Sequence, residues 1–197
     1  MILSTGMANK KEISEAVETA LKAGATQIAL LHCVSGYPTP IKETNLSTIS
    51  ELINTFKIPI GLSDHTLGTV VPVVAVSLGA SIIEKHFILD RKDKGPDSDF
   101  SLEPQELKKL VEDAKSAWNA IGKINFEIKP SEKQNLKFRR SLYAVKDIKK
   151  GEILTNNNVR SIRPGYGMHP KLINAIIGKL SSCEIKKGTA MKVEYVK

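Results

Sequence analysis

The segment from Pro59 to Phe87 constrains the fold of this chain most strongly. It begins with a short apolar run that ends at 63–66 (SDHT), continues through a long apolar stretch with the character of a helix, and closes on a second run that ends at 84–87 (EKHF). A connection of this length with one helix in it joins neighbouring parallel strands. The segment therefore predicts strand, helix and parallel strand, with His65 and His86 at the carboxyl ends of the two strands.

Residues 1–122 repeat this alternation. Apolar runs predict the strands, and stretches with apolar residues at helical spacing predict the helices. A strand that alternates with a helix in this way predicts a parallel sheet with covering helices, either open or closed into a barrel. The strands are expected at 1–3, 27–33, 58–62 and up to 84–87, and the helices at 9–24, 46–56, 70–80 and 104–122.

The pattern changes after residue 122. Residues 123–138 are polar and contain Pro130, which is typical of a linker. Beyond them, 147–154 (DIKKGEIL) is echoed by 184–191 (EIKKGTAM), and the glycine of each copy suits a turn that requires a positive φ. The sequence thus predicts a domain at 1–122, a linker at 123–138 and a small, mostly β domain at 139–197.

The composition excludes several classes of protein. A net charge of +8 fits a nucleic-acid surface or an anionic small-molecule substrate, but aromatic residues make up only 5% of the chain and do not alternate with basic runs. Nucleic acid is therefore not an expected partner. Cys33 and Cys183 show no CxxC spacing, and the sequence shows neither a signal segment nor an apolar run long enough for a bilayer. We expect reduced thiols, no membrane partner and a cytoplasmic location.

Polar residues follow each predicted strand. Ligands of parallel α/β folds lie beyond the carboxyl ends of the strands. Ser4, Ser35 and Ser63 are therefore suited to donate hydroxyl hydrogen bonds to a phosphate or carboxylate, although a hydroxyl at a strand end also commonly caps the next helix. His65 and His86 occupy equivalent positions on successive strands, which favours a metal or acid–base role about as strongly as a structural one.

Two histidines do not complete a structural zinc site, which needs four ligands. They fit an open site for Mn²⁺ or Mg²⁺ that water and substrate oxygens complete. Glu84, beside His86, is an alternative partner that orients an imidazole. Asp97 either turns its Gly-Pro-Asp loop or contacts a sugar hydroxyl, and Arg163, framed by Pro and Gly, is either surface charge or a ligand contact.

Together these motifs resemble the sialic acid synthase family, whose members condense phosphoenolpyruvate with an N-acetylated amino sugar. Within the family, the motifs that begin at Gly95 and Ser161 resemble the pseudaminic acid synthase branch more than the sialic or legionaminic branches. The matching motifs cover essentially the whole chain in family order: STGM at 4–7, HC at 32–33, YPTP at 37–40, GLSDHT at 61–66, EKHF at 84–87, GPD at 95–97, SLEP at 101–104, KDIKKGE at 146–152 and RPGYG at 163–167.

The resemblance implies the fold. Residues 1–122 would form about the last four strands of a TIM (β/α)8 barrel, and 139–197 an antifreeze-like (SAF, β-clip) domain. A complete barrel needs roughly 200 residues or more. The chain is therefore expected to be the C-terminal portion of a synthase, without the first half of the barrel, and its two unpaired sheet edges would favour aggregation or pairing with that half.

The resemblance also implies roles for individual residues. A divalent metal, Mn²⁺ or Mg²⁺, would be held by His65 and His86, and these two would act in catalysis together with Glu84. Arg163 would reach across from the other subunit of a domain-swapped homodimer to the acyl group of the sugar. The remaining substrate contacts would be Ser4, Ser35 and Ser63 for phosphoenolpyruvate, with Ser35 standing where sialic acid synthases carry Asn, and Tyr37 and Asp97 for the sugar.

The implied activity is that of a transferase. The metal would polarise the aldehyde of the open-chain sugar, C3 of phosphoenolpyruvate would attack it, and water would add at C2 before phosphate leaves with C–O cleavage. The expected acceptor is a 2,4-diacetamido-2,4,6-trideoxy hexose, which gives pseudaminic acid. N-acetylneuraminate or legionaminate synthesis is one alternative, and a non-catalytic remnant that binds sugar or a partner is another.

Overall fold

A computed structural model describes residues 1–197, which form two units, 1–124 and 125–197. Each unit buries a hydrophobic core of its own. No helix in either unit is both long enough and apolar enough to cross a bilayer.

A parallel sheet of four strands forms the centre of the first unit. The strands lie in the sheet in the order in which they occur in the chain, and each neighbouring pair is parallel. The parallel α/β arrangement predicted from the alternation is thereby confirmed. The strands are β1 (Ile2–Ser4), β2 (Ala29–Cys33), β3 (Ile60–Asp64) and β4 (Ile83–Lys85).

Helices follow all four strands. The first begins at a capping box, because the Asn9 side chain accepts from the backbone N–H of Glu12 and the Glu12 carboxylate accepts from that of Asn9. At the start of the last, the Glu106 carboxylate accepts from the backbone N–H of Glu103 at 2.9 Å. The helices are α1 (Lys10–Lys22), α2 (Ser47–Phe56), α3 (Val70–Ser77) and α4 (Pro104–Ile121).

The core of the first unit joins the sheet to α1, α2 and α3. Every residue of β2 and β3 is buried, as expected of strands covered on both faces. The buried apolar side chains fix these strands beneath their polar tips. The members of this core are Val17, Ala20, Ile28, Leu30, Ile49, Leu52, Ile60, Leu62, Val71, Ala75 and Ala80.

The elements depart from the sequence predictions at their ends. The third strand, β3, starts two residues later than its apolar run predicts and extends to Asp64, so that Ser63 belongs to the strand itself. The helix α3 is shorter than the apolar stretch around it, because the chain leaves the helix at Leu78 and Gly79 takes a φ of +101°. A residue in that region of φ commonly ends a helix.

The second unit begins with a 3-10 helix, Pro130–Phe138, which lies inside the segment predicted as a linker. Strand β5 (Ser141–Ala144) then pairs antiparallel with β6 (Val159–Ile162), and a one-turn helix, α5 (Ile173–Ile176), follows. The core of this unit is separate from that of the first. Its buried members are Leu142, Ala144, Ile148, Leu154, Val159, Ile176, Ile185 and Met191.

The two copies of the Lys-Lys-Gly motif lie side by side in the second unit. Ile148 and Ile185 exchange both of their backbone hydrogen bonds, each at 2.8 Å. Gly151 and Gly188 adopt φ values of +81° and +86°, as the predicted turns require. The repeat in the sequence therefore corresponds to two equivalent turns joined by one antiparallel bridge.

Candidate active site

Two histidines meet at the carboxyl ends of β3 and β4. His65 follows β3 and His86 follows β4, one position beyond the registered pair Asp64 and Lys85. The centroids of the two imidazole rings are 5.2 Å apart, and their planes meet at 72°. The rings thus face one small region at this edge of the sheet.

An oxygen atom lies near Nδ1 of each imidazole. Nδ1 of His65 lies 3.0 Å from the backbone carbonyl oxygen of Val34, and Nδ1 of His86 lies 3.4 Å from Oδ2 of Asp97. In His65 the carbonyl acceptor selects the tautomer that carries its proton on Nδ1, which leaves the lone pair of Nε2 free, whereas the Asp97 contact of His86 is a charge pair. Metal-binding histidines in proteins are usually oriented in this way.

This donor set fits an open metal site. The described residues contain no group of three or more His, Cys, Asp or Glu side chains that could hold a metal ion. Two imidazole nitrogens leave most coordination positions to water and substrate oxygens, which suits Mn²⁺ or Mg²⁺ better than a closed structural zinc site. The residues that could hold such an ion are His65 and His86.

Ser63 and Glu84 form a second cross-strand pair. They face each other in the register of β3 and β4, and Oγ of Ser63 donates to Oε1 of Glu84 at 2.7 Å. Ser63 is buried and Glu84 is exposed. The hydrogen bond of Glu84 therefore goes to a hydroxyl and not to an imidazole, so the two histidines are oriented by other groups.

Aromatic rings flank the histidines. The ring of Tyr37 lies 4.4 Å from that of His65, and the ring of Phe100 lies 5.0 Å from that of His86, measured between centroids. Phe100 is buried, whereas Tyr37 is 56% exposed. Phe100 was not among the residues predicted from the sequence; its position three residues after Asp97 in the same loop is the signal that points to it.

The loop that carries Asp97 is tied to the start of α4. The backbone N–H of Arg91 donates to Oε1 of Glu103 at 3.0 Å, and the Arg91 guanidinium contacts Glu106. The pKa of Glu106 is lowered, chiefly because its carboxylate accepts from the backbone N–H of Glu103 and further because of Arg91. Both ends of the loop are thereby anchored, with Asp97 between them.

The other predicted site residues are divided between the units. Ser4 ends β1 at the same edge of the sheet as the histidines. Ser35 lies just beyond β2, and a Cβ added to Gly6 would come 3.4 Å from its hydroxyl oxygen, so the tips of β1 and β2 lie side by side. Arg163 follows β6 on an exposed segment of the second unit.

A buried ion pair behind the histidines was not predicted. Nζ of Lys85 lies 2.5 Å from Oδ2 of Asp64, and each side chain is 2% exposed. A lysine whose side chain is buried needs an anionic partner. The parallel register places Asp64 directly opposite Lys85.

Comparison with known proteins identifies the family. The sequence profile of the NeuB family matches residues 1–126, and that of the SAF domain matches residues 139–191. The chain belongs to the NeuB family. The resemblance to sialic acid synthases with an antifreeze-like domain, inferred from the motifs, is confirmed.

Two bacterial synthases are among the curated relatives of this NeuB-family chain. It is 42% identical over 191 residues to the pseudaminic acid synthase of Campylobacter jejuni, a match that covers 97% of this chain and 56% of the relative. It is 44% identical over 190 residues to the N,N'-diacetyllegionaminic acid synthase of the same species, covering 95% and 57%. The chain therefore spans just over half the length of these relatives.

A solved structure shows the same fold. It is that of an N-acetylneuraminic acid (sialic acid) synthetase from Leptospira borgpetersenii in complex with citrate, with 41% sequence identity and a TM-score of 0.62. The match covers 68% of this chain and 47% of that one. The α/β fold of the chain is thus that of sialic acid synthase-type proteins.

Proposed function

We propose that this chain carries the metal-binding part of an active site that condenses phosphoenolpyruvate with an N-acetylated amino sugar. The acceptor is a 2,4-diacetamido-2,4,6-trideoxy hexose and the products are pseudaminic acid and phosphate, so the activity is that of a transferase. The supporting observation is the pair of imidazoles at adjacent strand tips, 5.2 Å apart between ring centroids, in a chain 42% identical to a pseudaminic acid synthase.

In this proposal, His65 and His86 hold Mn²⁺ or Mg²⁺ through their Nε2 atoms. The ion, when bound, supplies Lewis-acid polarisation of the sugar aldehyde. The protein orients the ring of His65 through the hydrogen bond from Nδ1 to the Val34 carbonyl, and the Asp97 carboxylate lies 3.4 Å from Nδ1 of His86.

Phosphoenolpyruvate is proposed to bind the hydroxyls of Ser4, Ser35 and Ser63. A phosphate oxygen is a strong acceptor and competes with Glu84 for the proton that Ser63 donates. Once Ser63 has turned to the substrate, the Glu84 carboxylate is an acceptor for the proton of the water that adds at C2. The net charge of +8 favours a substrate with this much negative charge.

The sugar is proposed to lie against Tyr37 and Asp97. Tyr37 offers an exposed aromatic face next to His65, and Asp97 is held by an anchored loop. Arg163 is proposed to reach the acyl group of the sugar in the active site of a second copy, within a domain-swapped homodimer. The adjacent Pro164 and Gly165 give its guanidinium the rigid frame that planar recognition requires.

The sheet is proposed to be about half of a TIM (β/α)8 barrel. Strand β1 pairs only with β2, and β4 pairs only with β3, so both edges have backbone groups available for further strands. In this proposal the barrel domain comprises 1–122, the linker 123–138 and the SAF domain 139–197. A cytoplasmic location is part of the same proposal.

The test is reconstitution. The chain is mixed with the part of the Campylobacter jejuni synthase outside the matched region, Mn²⁺, phosphoenolpyruvate and the acceptor sugar, and phosphate release is measured. We expect release that depends on Mn²⁺ and falls by about a hundredfold in His65→Ala and His86→Ala, since metal affinity and Lewis-acid activation are lost together. His169→Ala, an exposed histidine of the second unit, is the matched control.

Two results would contradict the proposal. One is parental phosphate release in the His65→Ala variant. The other is the absence of release from the mixture when the full-length Campylobacter jejuni synthase is active under the same conditions. In the second case, sugar binding that needs neither Mn²⁺ nor His65 would identify the chain as a non-catalytic binding protein.

A legionaminic acid synthase is the second candidate function. It is favoured by 44% identity to the N,N'-diacetyllegionaminic acid synthase, slightly above that to the pseudaminic acid synthase. The two candidates differ in the stereochemistry of the acceptor. Offering the reconstituted mixture each diacetamido hexose separately decides between them, because the true acceptor gives the higher rate of phosphate release.

A further inference from the structure

The buried ion pair behind the histidines lies on the opposite face of the sheet. Side chains alternate between the faces of a strand, so Asp64 and Lys85 point away from the side shared by the flanking residues of β3 and β4. Both charged groups are almost wholly withdrawn from water, with side chains 2% exposed. Their position excludes direct contact with a substrate bound at the histidines.

The ammonium group of Lys85 contacts both residues that flank His65. Nζ of Lys85 lies 2.5 Å from the Asp64 carboxylate and donates to the backbone carbonyl of Thr66 as well. The Asp64 carboxylate in turn accepts from the backbone N–H and from the hydroxyl of Thr66, at 3.0 and 3.1 Å. Thr66 is 1% exposed, so this network is sealed from solvent.

Lys85 is itself adjacent to the second histidine, His86. Lys85 precedes His86 in the chain, and the two residues it holds, Asp64 and Thr66, stand on either side of His65. The backbone next to His65 and the backbone next to His86 are therefore joined by an ion pair and hydrogen bonds. Any slip of β3 against β4 at their tips would break these contacts and move the two rings apart.

We propose that Asp64 and Lys85 are positioning residues that set the separation of His65 and His86 and thereby the affinity of the site for its metal. The part of this inference that concerns metal rests on the proposed function. The part that concerns the separation of the rings rests on the network alone.

The competing explanation is that Asp64 and Lys85 only stabilise the fold. The energetics of buried charges distinguish this role from a positioning role. A buried ion pair loses its hydration, and an uncharged pair of similar volume is often no less stable. Removal of both charges should therefore leave the fold intact. It also removes the directional contacts that fix the tips of the strands, so only the positioning role predicts a change at the histidines.

The decisive variant is Asp64→Asn combined with Lys85→Met in the full chain. Asparagine keeps an acceptor for the Thr66 backbone, and methionine keeps the unbranched stem of lysine. We expect a thermal midpoint near that of the parent and a Mn²⁺ affinity about tenfold weaker, measured by electron paramagnetic resonance of free Mn²⁺. The matched control is Lys109→Met with Asp113→Asn, an exposed Lys–Asp pair on α4 whose charged atoms are 2.8 Å apart.

A second readout needs no metal. The rings of His65 and His86 are close enough for a nuclear Overhauser effect between their protons, since their centroids are 5.2 Å apart. We expect this effect to weaken or vanish in the double variant and to persist in the control. If the double variant does not fold, Thr66→Val replaces it, because this substitution removes one hydrogen bond to Asp64 and little volume. We then expect a several-fold weaker affinity for Mn²⁺ and a weaker nuclear Overhauser effect between the two rings.

The outcomes separate this inference from the proposed function. A folded double variant with parental Mn²⁺ affinity and an unchanged ring-to-ring effect overturns the inference. If the parent itself binds no Mn²⁺ through His65, the metal part of the proposed function fails, and the ring-to-ring effect alone decides whether Asp64 and Lys85 position the histidines.

Discussion

At the scale of the residue, Gly61 occupies the tightest place in the sheet. It lies in β3 opposite Leu31 of β2, and a Cβ added to it would come 2.5 Å from the backbone oxygen of Ile82 and 2.5 Å from a methyl group of Leu31. The first of these atoms belongs to the backbone and cannot give way cheaply. The glycine therefore lets the backbones around β3 approach closely just below the site.

We predict that Gly61→Ala lowers the free energy of unfolding by about 1–3 kcal/mol, the usual cost of overpacking a close-packed interior. Urea denaturation of the full chain measures the change. Gly95→Ala is the control, because a Cβ there would meet Oγ of Ser98 at 3.4 Å, an ordinary contact. Equal stability of the two variants would contradict the prediction.

The sequence predicted residues at strand ends better than it predicted how they are oriented. His65 and His86 were found because strand ends can be located from apolar runs and because parallel strands end at one edge. The partners of their Nδ1 atoms could not be found in the same way. One partner is the carbonyl of Val34 and the other is a side chain of the loop after β4, and both depend on loop conformations that no periodicity encodes.

At the scale of the element, carboxylates close the two Lys-Lys-Gly turns. Asp147 accepts from the backbone N–H of Lys187 at 2.8 Å, and Glu152 accepts from that of Lys149 at 2.9 Å. These hydrogen bonds are the main cause of pKa values below the ordinary 3.8 of the aspartate and 4.5 of the glutamate. The nearby Lys186 lowers the pKa of Asp147 further, and Asn158 that of Glu152.

We predict that Asp147→Asn combined with Glu152→Gln destabilises the chain at neutral pH but not in acid. A carboxylate with a lower pKa in the folded than in the unfolded chain stabilises the fold above its unfolded pKa and loses this effect as pH falls through its folded pKa. The difference in the free energy of unfolding between parent and variant should therefore be constant above about pH 4.5 and should shrink below that pH. Chemical denaturation over this pH range measures the gap.

The control for this prediction is Glu127→Gln, which alters a carboxylate of the same unit that accepts no hydrogen bond. A gap between the parent and the double variant that widens as the pH falls would have the wrong sign and would refute the assignment. A gap that is absent at neutral pH would show that the two hydrogen bonds contribute nothing to stability.

Element boundaries were predictable where a cap marks them and not where packing decides them. The starts predicted at residues 9 and 104 agree with the capping box at Asn9 and with the proline that opens α4, because both act through local hydrogen bonds and backbone geometry. The end of α3 was not predicted. Its apolar run continues past Ser77 because the following residues are buried in the same core, although the helix has already ended.

At the scale of the whole molecule, two separate cores predict two units that fold separately. We predict that residues 125–197 expressed alone unfold in one cooperative thermal transition, because their core contains no residue of the first unit. Circular dichroism measures the transition. Ile148→Ala, at a fully buried position, should lower the stability of this piece by about 2–5 kcal/mol.

The control is Ile153→Ala, at a position that is 53% exposed in the same unit. Its effect should be much smaller than that of Ile148→Ala. A broad, non-cooperative transition of the isolated piece, unaffected by either substitution, would show that the second unit depends on the first for its fold.

The fold class was predictable because the alternation of apolar strands and amphipathic helices allows few arrangements. The small unit was predictable only as mostly β. Its strands β5 and β6 are four residues each, and much of the rest is held by single bridges, such as that between Ile148 and Ile185. Single bridges between distant residues leave no periodic trace in a sequence.

The sheet of the first unit has the same order in space as in the chain, and no strand is inserted between two earlier ones. During synthesis on the ribosome, each new strand can therefore dock on the edge left by the one before it. For the same reason, a break in a connecting loop leaves two pieces that each contain only neighbouring strands, and these pieces can pair again through the strands at the break. We therefore expect a sheet with this strand order to re-form from two pieces that are divided between its βα units.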